Sequence, residues 1–138
     1  MKTAMILMAH GSRSVEANDD LRWLADRIRE RGEHDQVVAA FLELAEPSIP
    51  DASRAAVGLG AERVILMPVF LSAGVHVQRD LTKFRDDLRV EFPTVIFDLM
   101  PPIGRHPMLI DIILDRAVET QKQLEPQRHR GTENTCGG

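Results

Sequence analysis

Hydrophobic and polar positions repeat along this chain in four similar stretches, each an apolar run followed by a helical pattern. The apolar runs cover residues 4–9, 36–42, 63–71 and 94–99. Runs with almost no polar alternation are typical of strands covered on both faces, as in a parallel sheet. The helices between them are delimited by caps, glycines and prolines: Glu16 to Arg31, Ser48 to Gly58, the segment before Pro93, and the segment after Pro107.

Four strand and helix units in this order predict an α/β fold of the flavodoxin-like kind. Right-handed crossovers favour a four-stranded parallel sheet of order 2-1-3-4 with helices on both faces. The pattern predicts one domain over residues 1–122 and a disordered polar tail over residues 123–138. The predicted inward faces of the second and last helices are Ala52, Ala55, Ala56, Leu59, Ile110, Ile113, Leu114 and Ala117.

Chemically capable side chains follow the predicted strands. His10 comes after the first strand, His76 lies in the predicted loop after the third, and Glu43 and Glu46 come after the second. His106 follows the fourth strand. In the predicted order the first and third strands are neighbours about 4.8 Å apart, so the loops of His10 and His76 can reach one ligand at the carboxyl edge.

Two imidazoles with one or two carboxylates and no thiolate suit a borderline divalent metal such as cobalt, nickel, iron or zinc. Few protein ligands leave open coordination positions, as a reactive site requires. The spacing alone is weakly diagnostic, because no HxxxH or HExxH pattern holds the ligands on one element.

Each of these side chains also has an ordinary structural interpretation. His10 could close the turn after the first strand, and His76 could be a loop histidine in contact with water. Glu43 could form an ion pair with an arginine, while Glu46 and His106 could cap or charge the helices that follow. Three of the five histidines fall at one predicted edge, and this clustering favours the site interpretation.

Composition narrows the possible partners. A net charge of -4, 4% aromatic residues and no tyrosine argue against a nucleic-acid surface. The longest apolar stretch, residues 64–73, is far below the roughly 20 residues that span a bilayer, so no membrane partner is expected. The single cysteine, Cys136, forms no internal disulfide, and a reducing, cytoplasmic setting is predicted.

Four local motifs together resemble one family. They are HGSR at His10–Arg13, FLELAEPSIP at Phe41–Pro50, PVFLSAGVHVQRD at Pro68–Asp80 and PPIGRHP at Pro101–Pro107. In this order they resemble the small CbiX-type sirohydrochlorin chelatases of the class II chelatase family, and the similarity covers about residues 1–122.

The resemblance implies a chelatase-type domain that inserts a divalent metal into sirohydrochlorin, with the metal as substrate and no organic cofactor. Cobalt insertion, for cobalamin synthesis, is the first expectation. Iron insertion, for sirohaem, is the alternative, and relatives in methanogens use nickel. Larger chelatases contain two such α/β halves in one chain, so a homodimer is implied here.

The resemblance also implies roles for individual residues. His10 and His76 match the family's metal-binding histidines, and we expect both to accept pyrrole protons as well. Glu43 is the expected third polar group of the catalytic site. The expected contacts to the eight carboxylates of the substrate are Arg13, Ser12, Arg79 and Arg105.

Two other functions fit parts of the pattern. A histidine followed by glycine after the first strand is superficially similar to histidine phosphatases, but those need an arginine just before the histidine, where this chain has Ala9. A non-catalytic carrier of metal or tetrapyrrole would use the same ligands without accelerating metal insertion.

Overall fold

Four parallel strands form the sheet that organises residues 1–103. In the computed structural model, which describes residues 1–119, the strands are β1 (Thr3–Ala9), β2 (Gln36–Phe41), β3 (Arg63–Pro68) and β4 (Ile96–Leu99). Their order is β2-β1-β3-β4, and every neighbouring pair is parallel. The predicted fold class and strand order are confirmed.

Both faces of the sheet carry helices, because successive side chains of a strand point to opposite sides. Ile6 and Met8 of β1 belong to the buried cluster that packs helices α2 (Ile49–Gly58) and α3 (Val75–Glu91) on one face. Leu7 points to the other face, where it packs with Leu21 and Ala25 of helix α1 (Val15–Glu30).

The helix ends follow the capping signals in the sequence. Ser14 caps α1 by accepting from the Ala17 N–H, and Ser48 caps α2 by accepting from the Asp51 N–H at 3.2 Å. After α1, Gly32 adopts a φ of +71°, a conformation that glycine reaches without strain.

The predicted inward face of α2 was half wrong. Ala52 and Ala56 are buried, but Ala55 is exposed and Leu59 is 73% exposed. Leu59 follows the end of the helix, so it cannot extend the buried stripe. Ile49 and Ser53 complete the stripe instead, together with Ala52 and Ala56.

β3 ends earlier than predicted. Pro68 is its last residue and pairs in register with Met8, and the next residue, Val69, still donates its N–H to the Met8 carbonyl at 2.8 Å. The proline therefore lies at the exit of the strand, as expected from its missing N–H. His76 was predicted in a loop, but α3 begins at Val75 after Gly74, so His76 lies in the first turn of that helix.

The chain divides into two compact units, Met1–Ile103 and Gly104–Gly138. In the second unit residues 108–119 are helical. The predicted inward face is not buried within this unit: Ile110, Ile113 and Leu114 are 63%, 66% and 60% exposed, and Ala117 is exposed as well. The predicted tail, 123–138, falls outside the described residues. No helix within residues 1–119 is long and apolar enough to cross a membrane.

Candidate functional site

The predicted site residues of the first unit follow the carboxyl ends of three adjacent strands. His10 comes directly after β1, Glu43 lies two residues beyond β2, and His76 lies in the first turn of α3 beyond β3. All three side chains are exposed. Because β1 lies between β2 and β3, His10 starts from the middle of this edge.

The backbones of His10 and Glu43 are joined directly. The Leu42 N–H donates to the Ala9 carbonyl at 2.9 Å, and the Glu43 N–H donates to the His10 carbonyl at 3.0 Å. The hydrogen bonding between β1 and β2 thus continues past both strands. It fixes two of the predicted site residues relative to each other.

Gly11 makes this junction possible. Its φ is +93°, and a Cβ at this position would lie 1.7 Å from the Glu43 carbonyl oxygen. Real Cβ atoms never approach backbone this closely, so only glycine fits between the two loops. The glycine of the HGSR motif is therefore explained by the packing of the β1 loop against the backbone of Glu43.

Asn18 holds the same turn from the other side. Its side chain is buried in α1, where its Oδ1 accepts from the Ser12 N–H at 2.9 Å and its Nδ2 donates to the Ser12 carbonyl at 2.7 Å. The Ser12 hydroxyl accepts from the Ser14 N–H at 3.0 Å. Sequence reasoning missed Asn18. The available signal was a polar residue on the same helical stripe as Leu21 and Ala25.

The loop after β2 is closed by contacts at its far end. The Phe41 N–H donates to the Pro47 carbonyl at 3.0 Å, and Nη2 of Arg22 donates to the Glu46 carbonyl at 3.2 Å. Within this loop Leu44 has a φ of +65° and is 56% exposed. The left-handed conformation costs an L-residue roughly 1–2 kcal/mol, and the fixed loop ends impose it here.

The ring of His10 is placed by an aromatic contact. Its centroid lies 5.1 Å from that of Phe70, with the two rings tilted by 37°. The turn is closed by backbone groups, and neither imidazole nitrogen of His10 bonds to another residue within the described part of the chain. The ring nitrogens therefore have no structural task among these residues.

Other candidates occupy more ordinary positions. Nδ1 of His106 accepts from the Met108 N–H at 3.1 Å, so the capping interpretation of His106 is confirmed. Nδ1 of His34 lies 3.2 Å from the Thr3 hydroxyl at the start of β1. Glu46 does not cap α2, because Ser48 does.

Several side chains that were predicted to contact the substrate form no ion pair within the described residues. Among residues 1–119, Glu43, Arg13, Arg79 and Arg105 form no ion pair with one another or with any other described side chain. Arg79 lines an open groove of about 760 Å³ along α3. Arg105 ends the short 3-10 turn Ile103–Arg105. The alternative interpretation of Glu43 as half of an ion pair has no support among these residues.

The described residues contain no preformed metal site with three protein ligands. Over residues 1–119 no group of three or more histidine, cysteine, aspartate or glutamate side chains is arranged to hold an ion. His10, His76 and Glu43 are therefore not gathered into one such group.

Apolar side chains stand among these polar ones. Leu44 is 56%, Leu71 is 69% and Val75 is 72% exposed, and all three belong to segments that leave the carboxyl edge of the sheet. Free imidazoles can bind a transition metal or accept a proton, and guanidinium groups can meet carboxylates. The edge thus brings exposed imidazole, guanidinium and apolar side chains onto neighbouring segments.

Known proteins are similar to this chain in sequence. The model of the CbiX family matches residues 4–120. The chloroplastic sirohydrochlorin ferrochelatase of Arabidopsis thaliana is 37% identical over 121 residues, which are 88% of this chain and 54% of the plant protein. The sirohydrochlorin cobaltochelatase of Methanocaldococcus jannaschii is 31% identical, with 83% of this chain and 96% of that protein covered.

One solved structure extends the comparison to the fold. The crystal structure of a CbiX protein from Marinobacter aquaeolei VT8 superposes with a TM-score of 0.77 at 32% identity. The match covers 88% of this chain and 98% of that one. The chain therefore matches relatives of about its own length, and it spans about half the length of the Arabidopsis protein.

Proposed function

The chain belongs to the CbiX family, and on that premise we propose that it inserts a divalent metal ion into sirohydrochlorin. The observation that carries the proposal is the junction at the carboxyl edge of the sheet. There the backbone of His10 is bonded to that of Glu43, while the His10 ring nitrogens are unbonded within the described residues. An imidazole held in place but otherwise unused is suited to a ligand.

The chemistry requires two things of this edge. An ion must pass from protein ligands to the four ring nitrogens, and two pyrrole N–H protons must be removed. We assign His10 and His76 as the metal ligands, because imidazole binds borderline divalent metals and exchanges protons near neutral pH. Glu43 has an exposed carboxylate, and its backbone N–H is hydrogen-bonded to the His10 carbonyl. We assign its carboxylate to removing pyrrole protons or to binding the ion.

We assign arginines to bind the carboxylates of the substrate. Arg13 and Arg79 are exposed, belong to the segments that follow β1 and β3, and form no ion pair with another described residue. Guanidinium binds carboxylate through two parallel hydrogen bonds. Ser12 and Arg105 remain predictions: the Ser12 hydroxyl already serves the turn, and Arg105 belongs to the second unit.

We assign cobalt as the first metal and iron as the second. The Methanocaldococcus relative is named a cobaltochelatase and the Arabidopsis relative a ferrochelatase. Imidazole and carboxylate ligands accept both ions, so availability decides between them. The Arabidopsis relative is named chloroplastic, whereas the assignment for this chain is a reducing cytoplasm.

Metal insertion by the wild-type protein tests the function. Sirohydrochlorin is mixed anaerobically with cobalt(II) or iron(II), and the visible spectrum is followed with and without protein. We expect a rate at least about a hundredfold above the spontaneous one, since positioned proton transfer alone commonly contributes about 10²–10⁴-fold. A carrier would bind the metal or the tetrapyrrole and leave the spontaneous rate unchanged, and that result would contradict the proposal.

A homodimer is the assembly that we assign to this chain. The 108–119 helix exposes more than one face of large apolar side chains, which is unusual for a helix in contact with water. They are Met108, Ile110, Ile112, Ile113, Leu114 and Val118. Because the match covers nearly all of some relatives and only about half of another, a second copy is the partner that fits.

Replacing Ile113 by aspartate should separate the copies. A charge at this 66% exposed position costs little in an isolated chain and several kcal/mol inside an interface, where an unpaired carboxylate loses its hydration. Light scattering after size exclusion should give about twice the 15.5 kDa of one chain for the wild type and one chain for the variant.

A matched control is Val90→Asp in α3. Val90 is 83% exposed and stands outside the apolar helix, so that variant should keep the wild-type mass. A wild type of one-chain mass, or an Ile113→Asp variant that loses thermal stability at unchanged mass, would refute the interface.

A further inference from the structure

Leu44 is held in a conformation and an environment that are both unfavourable for leucine. Its φ of +65° is the left-handed region that glycine and asparagine tolerate, and its side chain is 56% exposed. Within residues 1–119 it is the only residue other than glycine with a positive φ. Neither the backbone strain nor the exposed apolar surface stabilises the folded protein in the absence of a ligand.

The surrounding contacts explain how the strain persists. On one side the Glu43 N–H is bonded to His10, and the Glu43 carbonyl fills the space beside Gly11. On the other side Phe41 bonds Pro47 across the base of the loop. With both ends fixed, the residue after Glu43 has no freedom to relax, which is how strain is retained at functional sites.

The position of Leu44 suggests what it meets. It leaves the sheet from β2, while exposed Leu71 and Val75 leave from β3, on the far side of β1. Two strand spacings, about 10 Å, separate these flanking strands, and His10 follows the strand between them. Apolar side chains thus follow the strands on both sides of the strand that leads to His10.

We infer that Leu44 is a substrate-contacting residue whose side chain packs against the apolar face of the tetrapyrrole macrocycle. This inference rests on the proposed function and deepens it, since it names the part of the substrate that the loop recognises. The ring system of sirohydrochlorin is flat and apolar on its faces, whereas its carboxylates lie at the periphery. Leu44 therefore contributes to binding, and His10 and Glu43 act on the metal and the protons.

The test uses Leu44→Asn, which removes the apolar contact and favours the left-handed backbone. Strain relief should raise the melting temperature by about 2–4 °C. Loss of apolar contact should raise the Kd of sirohydrochlorin for the metal-free protein, measured by absorbance titration, and the KM for insertion roughly tenfold, with kcat within about twofold. A residue with a purely structural role would not gain stability while losing affinity.

Two further variants keep the result interpretable. Leu44→Met retains an apolar side chain and should keep the wild-type Kd within about threefold. Leu59→Asn replaces a leucine that is 73% exposed at the end of α2 with a negative φ, and it should change neither the Kd nor the melting temperature appreciably.

The outcomes separate this inference from the function. An unchanged Kd in Leu44→Asn, an equal rise in Leu59→Asn, or a fall in the melting temperature of Leu44→Asn would overturn the role of Leu44. A wild type that binds sirohydrochlorin without accelerating insertion would contradict the proposed function, and the Kd comparison would still decide whether Leu44 contacts the macrocycle.

Discussion

Replacing Gly11 by alanine is expected to slow metal insertion by about a hundredfold and to lower the free energy of unfolding by roughly 2–5 kcal/mol. The positive φ of Gly11 costs an alanine roughly 1–2 kcal/mol, and forcing a methyl group into packed structure adds about 1–3 kcal/mol. The added Cβ would lie 1.7 Å from the carbonyl oxygen of Glu43. One of the two loops must therefore move, and the bond between His10 and Glu43 is the contact that joins them.

The functional loss should exceed what the stability loss explains. Displacing catalytic groups by about 1 Å can cost on the order of a hundredfold in rate. The insertion rate is measured at a temperature where circular dichroism shows that the variant is folded, and urea denaturation gives the free energy of unfolding.

Gly32→Ala is the matched control for this experiment. Gly32 also has a positive φ, +71°, but a Cβ there would have no neighbour within 4 Å. Its replacement should cost the backbone strain of about 1–2 kcal/mol and leave the insertion rate unchanged. If Gly11→Ala behaves like Gly32→Ala in both measurements, the junction between the two loops does not matter for activity.

The strands and their order could be predicted from the sequence because they depend on local pattern and general topology. Apolar runs marked β1 to β4, and right-handed crossovers left few alternatives for their order. The N-cap at Ser48 and the end of α3 before Pro93 were also predicted from local signals. Such features need only a few neighbouring residues, and the structure confirms them.

The features that were missed depend on contacts between distant segments. Nothing near Leu44 in the sequence indicates a left-handed backbone, which arises because Gly11 and Phe41 fix the loop ends. The position of Asn18 on the inward stripe of α1 does not show that its amide bonds the backbone of Ser12. Spacing identifies candidates for such contacts, but only the folded chain shows which segments meet.

The 108–119 helix shows a different limit. Periodicity predicts that the apolar residues of this helix share one face. It does not say which surface covers that face. The stripe was predicted to face the core of the domain, and its residues are not buried within the unit that contains the helix. Sequence patterns therefore predict that a surface requires a partner, and other observations must identify that partner.

Replacing either His10 or His76 by alanine is expected to reduce metal insertion by about 10²–10⁴-fold, because each variant removes a proposed ligand and proton acceptor. Both side chains are exposed, and His10 makes no hydrogen bond through its ring within the described residues, so the melting temperature should change little. His34→Ala is the control. It removes a histidine whose ring bonds the Thr3 hydroxyl at the opposite end of β1, and it should insert metal at the wild-type rate.

The double variant decides whether the two histidines serve one ion. If His10 and His76 hold the same metal, removing the second after the first should cost little more, so the combined loss should be far smaller than the product of the single losses. If they act separately, the losses multiply. Insertion at the wild-type rate by either single variant would exclude that histidine from the site, and multiplicative losses would refute a shared ion. A less-than-multiplicative loss would indicate that α3 brings His76 to the ion that His10 binds.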